Sequence, residues 1–349
     1  MRTILRMRRM MQMRKTEFID REGNAIDMIQ AEFAMKIDDL VGDARRIAIT
    51  GHTRPDGDCT GACLGLRRYL LDLDPSLTVD VYLEPVPAAY DMLEGFETVC
   101  LYTEGEYELC FVLDVSSRER LGKNATLLDH VARVVCIDHH ATSEGLGGQD
   151  FVVPEAAAAC ELLYDIMNKE HISLETAECL YLGIIHDTNV FKNSNTTRHT
   201  MEVAGALMAK GVNQTRIIND SFYVKTYLQN QLLGMALMKS LIFCDGRCIV
   251  SVISRKTMDF YQATHADLDG IVEQLRVTKG VECAIFLTEL QFRQYKVSMR
   301  SNEAVDVSQV AAYFGGGGHV RAAGCTMEGS FYDVVNNLSE QIVKQLDEE

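Results

Sequence analysis

Three apolar runs, each ending in an acidic or imidazole side chain, constrain this chain more than anything else in it. Ile47 to Thr50 is a β-type run that stops at Gly51, and His52, Asp56 and Asp58 come immediately after. Phe111 to Leu113 ends in Asp114, and Val134 to Ile137 ends in Asp138, His139 and His140. Near-continuous apolar runs of this length read as strands covered on both faces. Three such strands ending in metal-type ligands predict one site at the edge of one sheet.

The surrounding pattern agrees. Apolar spacing predicts helices over Ala25–Arg46, through Leu64, Leu66, Tyr69 and Leu70, and over Ala88–Leu93, Glu155–Asn168 and Leu174–His186. Strands are expected at Thr78–Leu83, Leu109–Val115 and Val134–Ile137. Strands alternating with helices predict an α/β fold with a doubly wound, mainly parallel sheet, whose ligand crevice lies outside the carboxyl ends of its strands. His52, Asp114 and His139 all fall at such ends. Helical spacing continues through Thr200–Met208, Gln214–Ile218 and Lys225–Leu241. Beyond Leu241 come strands at Cys248–Ile253, Ala284–Glu289 and Tyr295–Met299, with helices at Leu268–Leu275 and Phe331–Leu346. This is read as a second, smaller α/β domain. The organisation expected is a basic, disordered extension over 1–24, a first domain over 25–222, a connecting helix over 223–240 and a second domain over 241–349.

Composition narrows the function. At 349 residues with 47% apolar and 24% charged residues, the chain has the make-up of a two-domain globular protein. No apolar run approaches the roughly 20 residues that span a bilayer, and the basic, Met-rich head lacks the apolar core of a secretory signal. The eleven cysteines are odd in number, scattered and without a CxxC pair; they read as reduced thiols of a cytoplasmic protein. A net charge of −16 disfavours a long phosphate backbone as ligand and points to a short one.

The candidate metal ligands are His52, Asp56, Asp58, Asp114, His139 and Asp187. Singly, each has a plainer reading: Asp-Gly-Asp as a turn, Asp114 as a helix cap, Asp187 as a helix end. Together, four carboxylates and two imidazoles exceed what one zinc needs, and the set contains no cysteine. Oxygen-rich sites with some imidazole suit Mn²⁺, then Mg²⁺ or Fe²⁺. So many carboxylates in one place would be forced to protonate. Two divalent ions roughly 3.5–4 Å apart remove that problem and ready water for attack on a phosphoryl group. Gly315 to Gly318, with His319 next, form a run whose bare backbone can approach a phosphate or base.

These residues resemble the DHH/DHHA1 phosphoesterase family. The resemblance rests on His52-Thr-Arg-Pro-Asp56-Gly-Asp58, Asp114, Asp138-His139-His140, Asp187-Thr-Asn-Val-Phe191 and the glycine run through His319 to Gly324. It covers roughly residues 40 to 345. Within the family it is nearest the stand-alone enzymes that hydrolyse short oligoribonucleotides (nanoRNases), 3′-phosphoadenosine 5′-phosphate or cyclic dinucleotides. The resemblance implies that His52 and Asp56 hold one Mn²⁺, that Asp58, His139 and Asp187 hold another, and that Asp114 bridges them. Asp138 would orient an imidazole, and His140 would face the scissile phosphate. Arg300 would clamp a phosphate, with Ser301, Gly316, Gly317, Gly318 and His319 beside it contacting the nucleotide. The family's usual glycine after Asp-Thr is Asn189 here, a residue that tolerates left-handed backbone angles.

The function expected is Mn²⁺-dependent release of 5′-mononucleotides from short oligoribonucleotides or 3′-phosphoadenosine 5′-phosphate. The alternative is a cyclic-di-AMP or linear pApA phosphodiesterase, with an inorganic pyrophosphatase and a non-catalytic nucleotide sensor as lesser rivals. The partners expected are a small nucleotide substrate and a second copy in a homodimer, with neither a membrane nor a long nucleic acid.

Overall fold

The structure is a computed structural model that describes residues 18–19, 25–26, 36–146 and 148–347. The chain divides into two compact units, one ending at Val224 and the other starting at Lys225.

In the first unit, β1 (Phe18–Ile19) pairs antiparallel with β2 (Ala25–Ile26). The helix expected over Ala25–Arg46 is therefore corrected. Its start is a strand, residues 27–35 lie outside those described, and only α1 (Ile37–Val41) is helical there. Gly42, at φ 57°, ends that helix one residue after Val41. Of the extension expected over 1–24, all but Phe18–Ile19 lies outside the described residues.

The main sheet has five parallel strands in the order β4-β3-β5-β6-β7. They are β3 (Arg46–Thr50), β4 (Thr78–Tyr82), β5 (Leu109–Leu113), β6 (Val134–Asp138) and β7 (Gln149–Val152). The central strand β5 is buried throughout. Its two-residue period sends Leu109, Phe111 and Leu113 into one core, with Ile47, Ile49, Val135 and Ile137. Cys110 and Val112 go into the other, with Ala48, Leu121 and Leu127. Both faces are covered, as a parallel sheet requires. Removing a side chain such as Phe111 would cost about 3–5 kcal/mol.

Two helices on the first face fix which residues meet at the sheet's rim: α2 (Gly57–Leu73) and, after α3 (Ala159–Ile166), α4 (Leu174–Asp187). Glycines let α2 and α4 touch backbone to backbone. A Cβ on Gly61 would stand 2.4 Å from the Cys179 carbonyl oxygen and 3.1 Å from the Gly183 nitrogen. This contact brings the start of α2 and the end of α4 to the same edge. The helix expected over Glu155–Asn168 starts only at Ala159, because Ala158 is extended at φ −162°. The unit closes with α5 (Arg198–Ala209), α6 (Gln214–Ile218) and a π-turn over Asn219–Tyr223.

The second unit begins with α7 (Tyr227–Met238) and carries a six-stranded mixed sheet in the order β12-β13-β11-β10-β9-β8. Its strands are β8 (Leu241–Phe243), β9 (Cys248–Ile253), β10 (Cys283–Gln291), β11 (Gln294–Ser301), β12 (Gly317–His319) and β13 (Ala322–Glu328). A short α8 (Arg255–Tyr261) comes after β9. One face packs Ile249 and Phe286 against α7 and α9 (Ile271–Arg276), and the other packs Val250, Ile285 and Val297 against α10 (Val307–Tyr313) and α11 (Phe331–Leu346). Ala322 to Gly324 are part of β13, which pairs with the glycine-rich β12. Each cysteine is a free thiol; nine are buried, Cys244 is partly so and Cys100 is exposed. Among the described residues, no helix is long and apolar enough to cross a membrane.

Candidate metal centre

Each candidate ligand sits where an element ends. His52 lies just past β3, Asp114 just past β5, and His139 and His140 just past β6. Asp56 caps α2 and accepts the Asp58 and Cys59 amides at 3.1 Å each. Asp58 lies in the first turn of that helix rather than in a loop, and Asp187 is the last residue of α4.

The two inner histidines are anchored alike. His52 Nδ1 is 2.9 Å from the Thr53 carbonyl oxygen, and His139 Nδ1 is 3.3 Å from that of Ala156. With Nδ1–H donated to the backbone, each ring turns Nε2 on the carboxylates. His52 Nε2 is 3.3 Å from Asp114 and 3.7 Å from Asp56. His139 Nε2 is 2.9 Å from Asp187, 3.5 Å from Asp114 and 3.8 Å from Asp58. Metal-binding histidines are held by this kind of backbone contact. Asp114, at φ 58°, stands between the two groups.

The electrostatics test whether cations fit. Burial disfavours charged imidazoles, yet the surrounding carboxylates outweigh it, and His52 and His139 are both pushed up to about 12. Burial, then the charges of Asp114 and Asp187, holds the Asp58 carboxyl well above its usual range. Burial likewise raises Asp187 against the pull of His139. Asp114 Oδ1 is buried without a hydrogen-bond partner. A pocket that charges its imidazoles and leaves a carboxylate oxygen orphaned is short of positive charge, and divalent cations fit it. His52, Asp56 and Asp114 could hold one, and Asp58, His139 and Asp187 another.

His140 stands apart. Its Nδ1 is 2.7 Å from Asp138 Oδ1, and that contact raises its pKa against burial. Asp138 also accepts the His139 amide at 2.9 Å, so it fixes both residues after it.

Sequence reasoning missed the groups that hold the Asp58 carboxylate and the Asp187 backbone. The amides of Ala159 and Cys160 bind Asp58, which no local pattern announces. Asn193 and Asn195 both donate to the Asp187 carbonyl, at 3.1 and 3.3 Å. The polar loop Phe191 to Thr197 was their only signal. That loop leaves a left-handed turn in which Asn189, Val190 and Phe191 have φ of 48, 56 and 62°.

In the second unit, Arg300 Nε donates to Glu273 at 2.5 Å and Nη1 to the Met299 carbonyl at 3.0 Å. A phosphate would have to displace that glutamate. Ser301 is buried, its hydroxyl 3.4 Å from the Val320 carbonyl oxygen. Two glycines of the run are required by packing. A Cβ on Gly316 would stand 2.2 Å from the Gly324 carbonyl oxygen, and one on Gly318 2.5 Å from that of Ala322. Gly317 has open space where a Cβ would be, and His319 beside it is exposed.

The chain is similar to known proteins in sequence and in fold. The model of the DHH family, N-terminal domain, matches residues 46–184, and that of the DHHA1 domain matches residues 245–348. The bifunctional oligoribonuclease and PAP phosphatase NrnA of Bacillus subtilis is 26% identical over 286 residues, covering 80% of this chain and 89% of its own length. Its counterpart in Thermus thermophilus is 28% identical over 298 residues, covering 81% and 84%. In fold, the chain is similar to an exopolyphosphatase-related protein from Bacteroides fragilis, with a TM-score of 0.78, 24% identity and 91% and 95% coverage.

Proposed function

Because the chain belongs to the DHH/DHHA1 phosphoesterase family, and is thereby a phosphoric ester hydrolase, we propose that it cleaves short oligoribonucleotides and 3′-phosphoadenosine 5′-phosphate to 5′-mononucleotides. The observation that carries the chemistry is the pair of backbone-anchored imidazoles turned on Asp114 from two sides. Divalent cations held there, most simply Mn²⁺, supply an activated water and offset the phosphoryl charge.

The chain's own residues do the rest. His52, Asp56 and Asp114 hold one side of the centre, and Asp58, His139 and Asp187 the other. His140, its pKa raised and its ring oriented by the contact with Asp138, faces the scissile phosphate and gives a proton to the departing 3′-oxygen. Asp138 acts only through His140 and His139. In the second unit Arg300, Ser301, Gly316, Gly317, Gly318 and His319 contact the nucleotide, with the Arg300 guanidinium leaving Glu273 for a substrate phosphate. The net charge of −16 supports small substrates over long strands.

The test is a competition in Mn²⁺ among a dinucleotide, 3′-phosphoadenosine 5′-phosphate, cyclic di-AMP and pyrophosphate at equal concentration. The dinucleotide or the bisphosphate should be consumed first. Preference for cyclic di-AMP would assign the alternative substrate, and pyrophosphate as the only substrate turned over would overturn the reading.

A further inference from the structure

The His52 side of the cluster contains a donor outside the expected ligand set. Cys59 lies in the first turn of α2 and is fully buried. Its Sγ, a His52 ring nitrogen and an Asp114 carboxylate oxygen all lie within 4.8 Å of one another. Asp114 is only 2% exposed; its Oδ2 is the oxygen that faces His52, at 3.3 Å from Nε2, while Oδ1, without a hydrogen-bond partner, faces His139 and His140. Gly51 makes the approach possible: a Cβ there would stand 2.2 Å from the Cys59 Sγ. The thiol therefore lies against the bare backbone at the end of β3, next to the His52 imidazole. A thiol that merely fills a core has only apolar neighbours; Cys59 packs in the core beside Cys63 and has an imidazole and a carboxylate near its sulfur as well.

Resting on the metal-centre reading above, we propose that Cys59 is a sulfur donor to the cation held by His52 and Asp114. Donors about 2.0–2.3 Å from a common ion stand roughly 3.3–3.7 Å apart in tetrahedral geometry, so a pair at the 4.8 Å limit would close by about 1.1–1.5 Å. As the sulfur–cation bond forms, the thiol gives its proton to solvent, and no electron is transferred. The group of Asp58, His139 and Asp187 contains no sulfur. The two positions consequently differ in taste: the Cys59 position favours Zn²⁺, Co²⁺ or Fe²⁺, and the other accepts Mn²⁺ or Mg²⁺.

The test uses Co²⁺ added to the full-length, metal-stripped protein and to Cys59→Ser and Cys59→Ala variants. The wild type should show a near-ultraviolet sulfur-to-cobalt charge-transfer band, and X-ray absorption at the cobalt edge should show a sulfur neighbour. Both variants should lose the band and bind Zn²⁺ roughly 10–100-fold more weakly, with little change for Mn²⁺. Cobalt bound to the wild type with no sulfur neighbour, or a band that persists in folded variants, would overturn the role of Cys59 and leave the metal centre standing. A wild type that binds no cobalt or manganese at all would overturn both. The absorption measurement on the wild type decides the matter even if neither variant folds.

Discussion

Asp58 is held by the start of helix α3. The Ala159 amide donates to Oδ2 at 2.6 Å and the Cys160 amide to Oδ1 at 3.0 Å. These two bonds, together with the positive end of the helix, orient the carboxylate and work against the burial that raises its pKa. Gly183 on α4 completes the enclosure. A Cβ there would stand 2.2 Å from the Cys160 Sγ and 2.7 Å from Asp58 Oδ1. Gly183→Ala should cost about 1–3 kcal/mol of stability and weaken divalent-cation binding roughly 10–100-fold. Urea unfolding and calorimetric titration with Mn²⁺ measure the two effects. Unaltered Mn²⁺ affinity would show that the placement of Asp58 does not govern the centre.

Asp114→Asn separates charge from shape. Asparagine accepts the left-handed backbone that residue 114 adopts, so the fold should persist. Without cations the variant loses one of the charges that raises Asp58 and also the carboxylate that raises His52 and His139, so both imidazoles should titrate closer to their ordinary range. Turnover of a dinucleotide in Mn²⁺ should fall by on the order of 100-fold or more, since even groups that only orient a ligand are worth 10–100-fold. Retained turnover would rule out the proposed mechanism.

The turn after Asp187 stores strain. Val190, at φ 56°, is a β-branched residue in the left-handed region, which costs L-residues roughly 1–2 kcal/mol. Its amide is bonded to the Ile185 carbonyl at 2.7 Å, so the conformation is held from outside. Val190→Asn should stabilise the protein by about 1 kcal/mol in thermal or urea unfolding. A loss of stability would mean that the valine side chain contributes more packing than its backbone costs.

Lys169 gives a pH dependence of known sign. Its Nζ lies 3.7 Å over the Tyr164 ring without a hydrogen-bond partner, and burial pushes its pKa down to about 8. Unfolded, the group titrates near 10.4. Between those values the unfolded chain carries more protons, so this contribution to stability rises with pH across the window and is lost as pH falls through 8. Lys169→Met should therefore melt higher than the wild type at pH 7, and the gap should narrow toward pH 10. A gap that stays constant over that range would refute the assignment.

What could be read from the chain alone has physical causes. β3, β5 and β6 announced themselves because strands covered on both faces are apolar throughout, and their ends carried the ligands. β7 did not, because Gln149 and Asp150 lie exposed on an edge strand. β12 and β13 were hidden by glycine and alanine, which resemble a turn in sequence and become a strand pair only when Gly316 and Gly318 admit the neighbouring backbone. The helix expected over Ala25–Arg46 failed because apolar spacing says nothing of the strand pairing at Ala25–Ile26. The bonds from Ala159 and Cys160 to Asp58 span about a hundred residues, and backbone amides leave no mark in a sequence.

The distribution of thiols has a practical use. Of the eleven cysteines, only Cys100 is exposed, with Cys244 half-sheltered and the others buried. A maleimide dye applied briefly to the native protein should thus attach at one position first, on the loop after the 3₁₀ turn at Phe96–Thr98. The number of dyes taken up then becomes a gauge of how much of the molecule has opened.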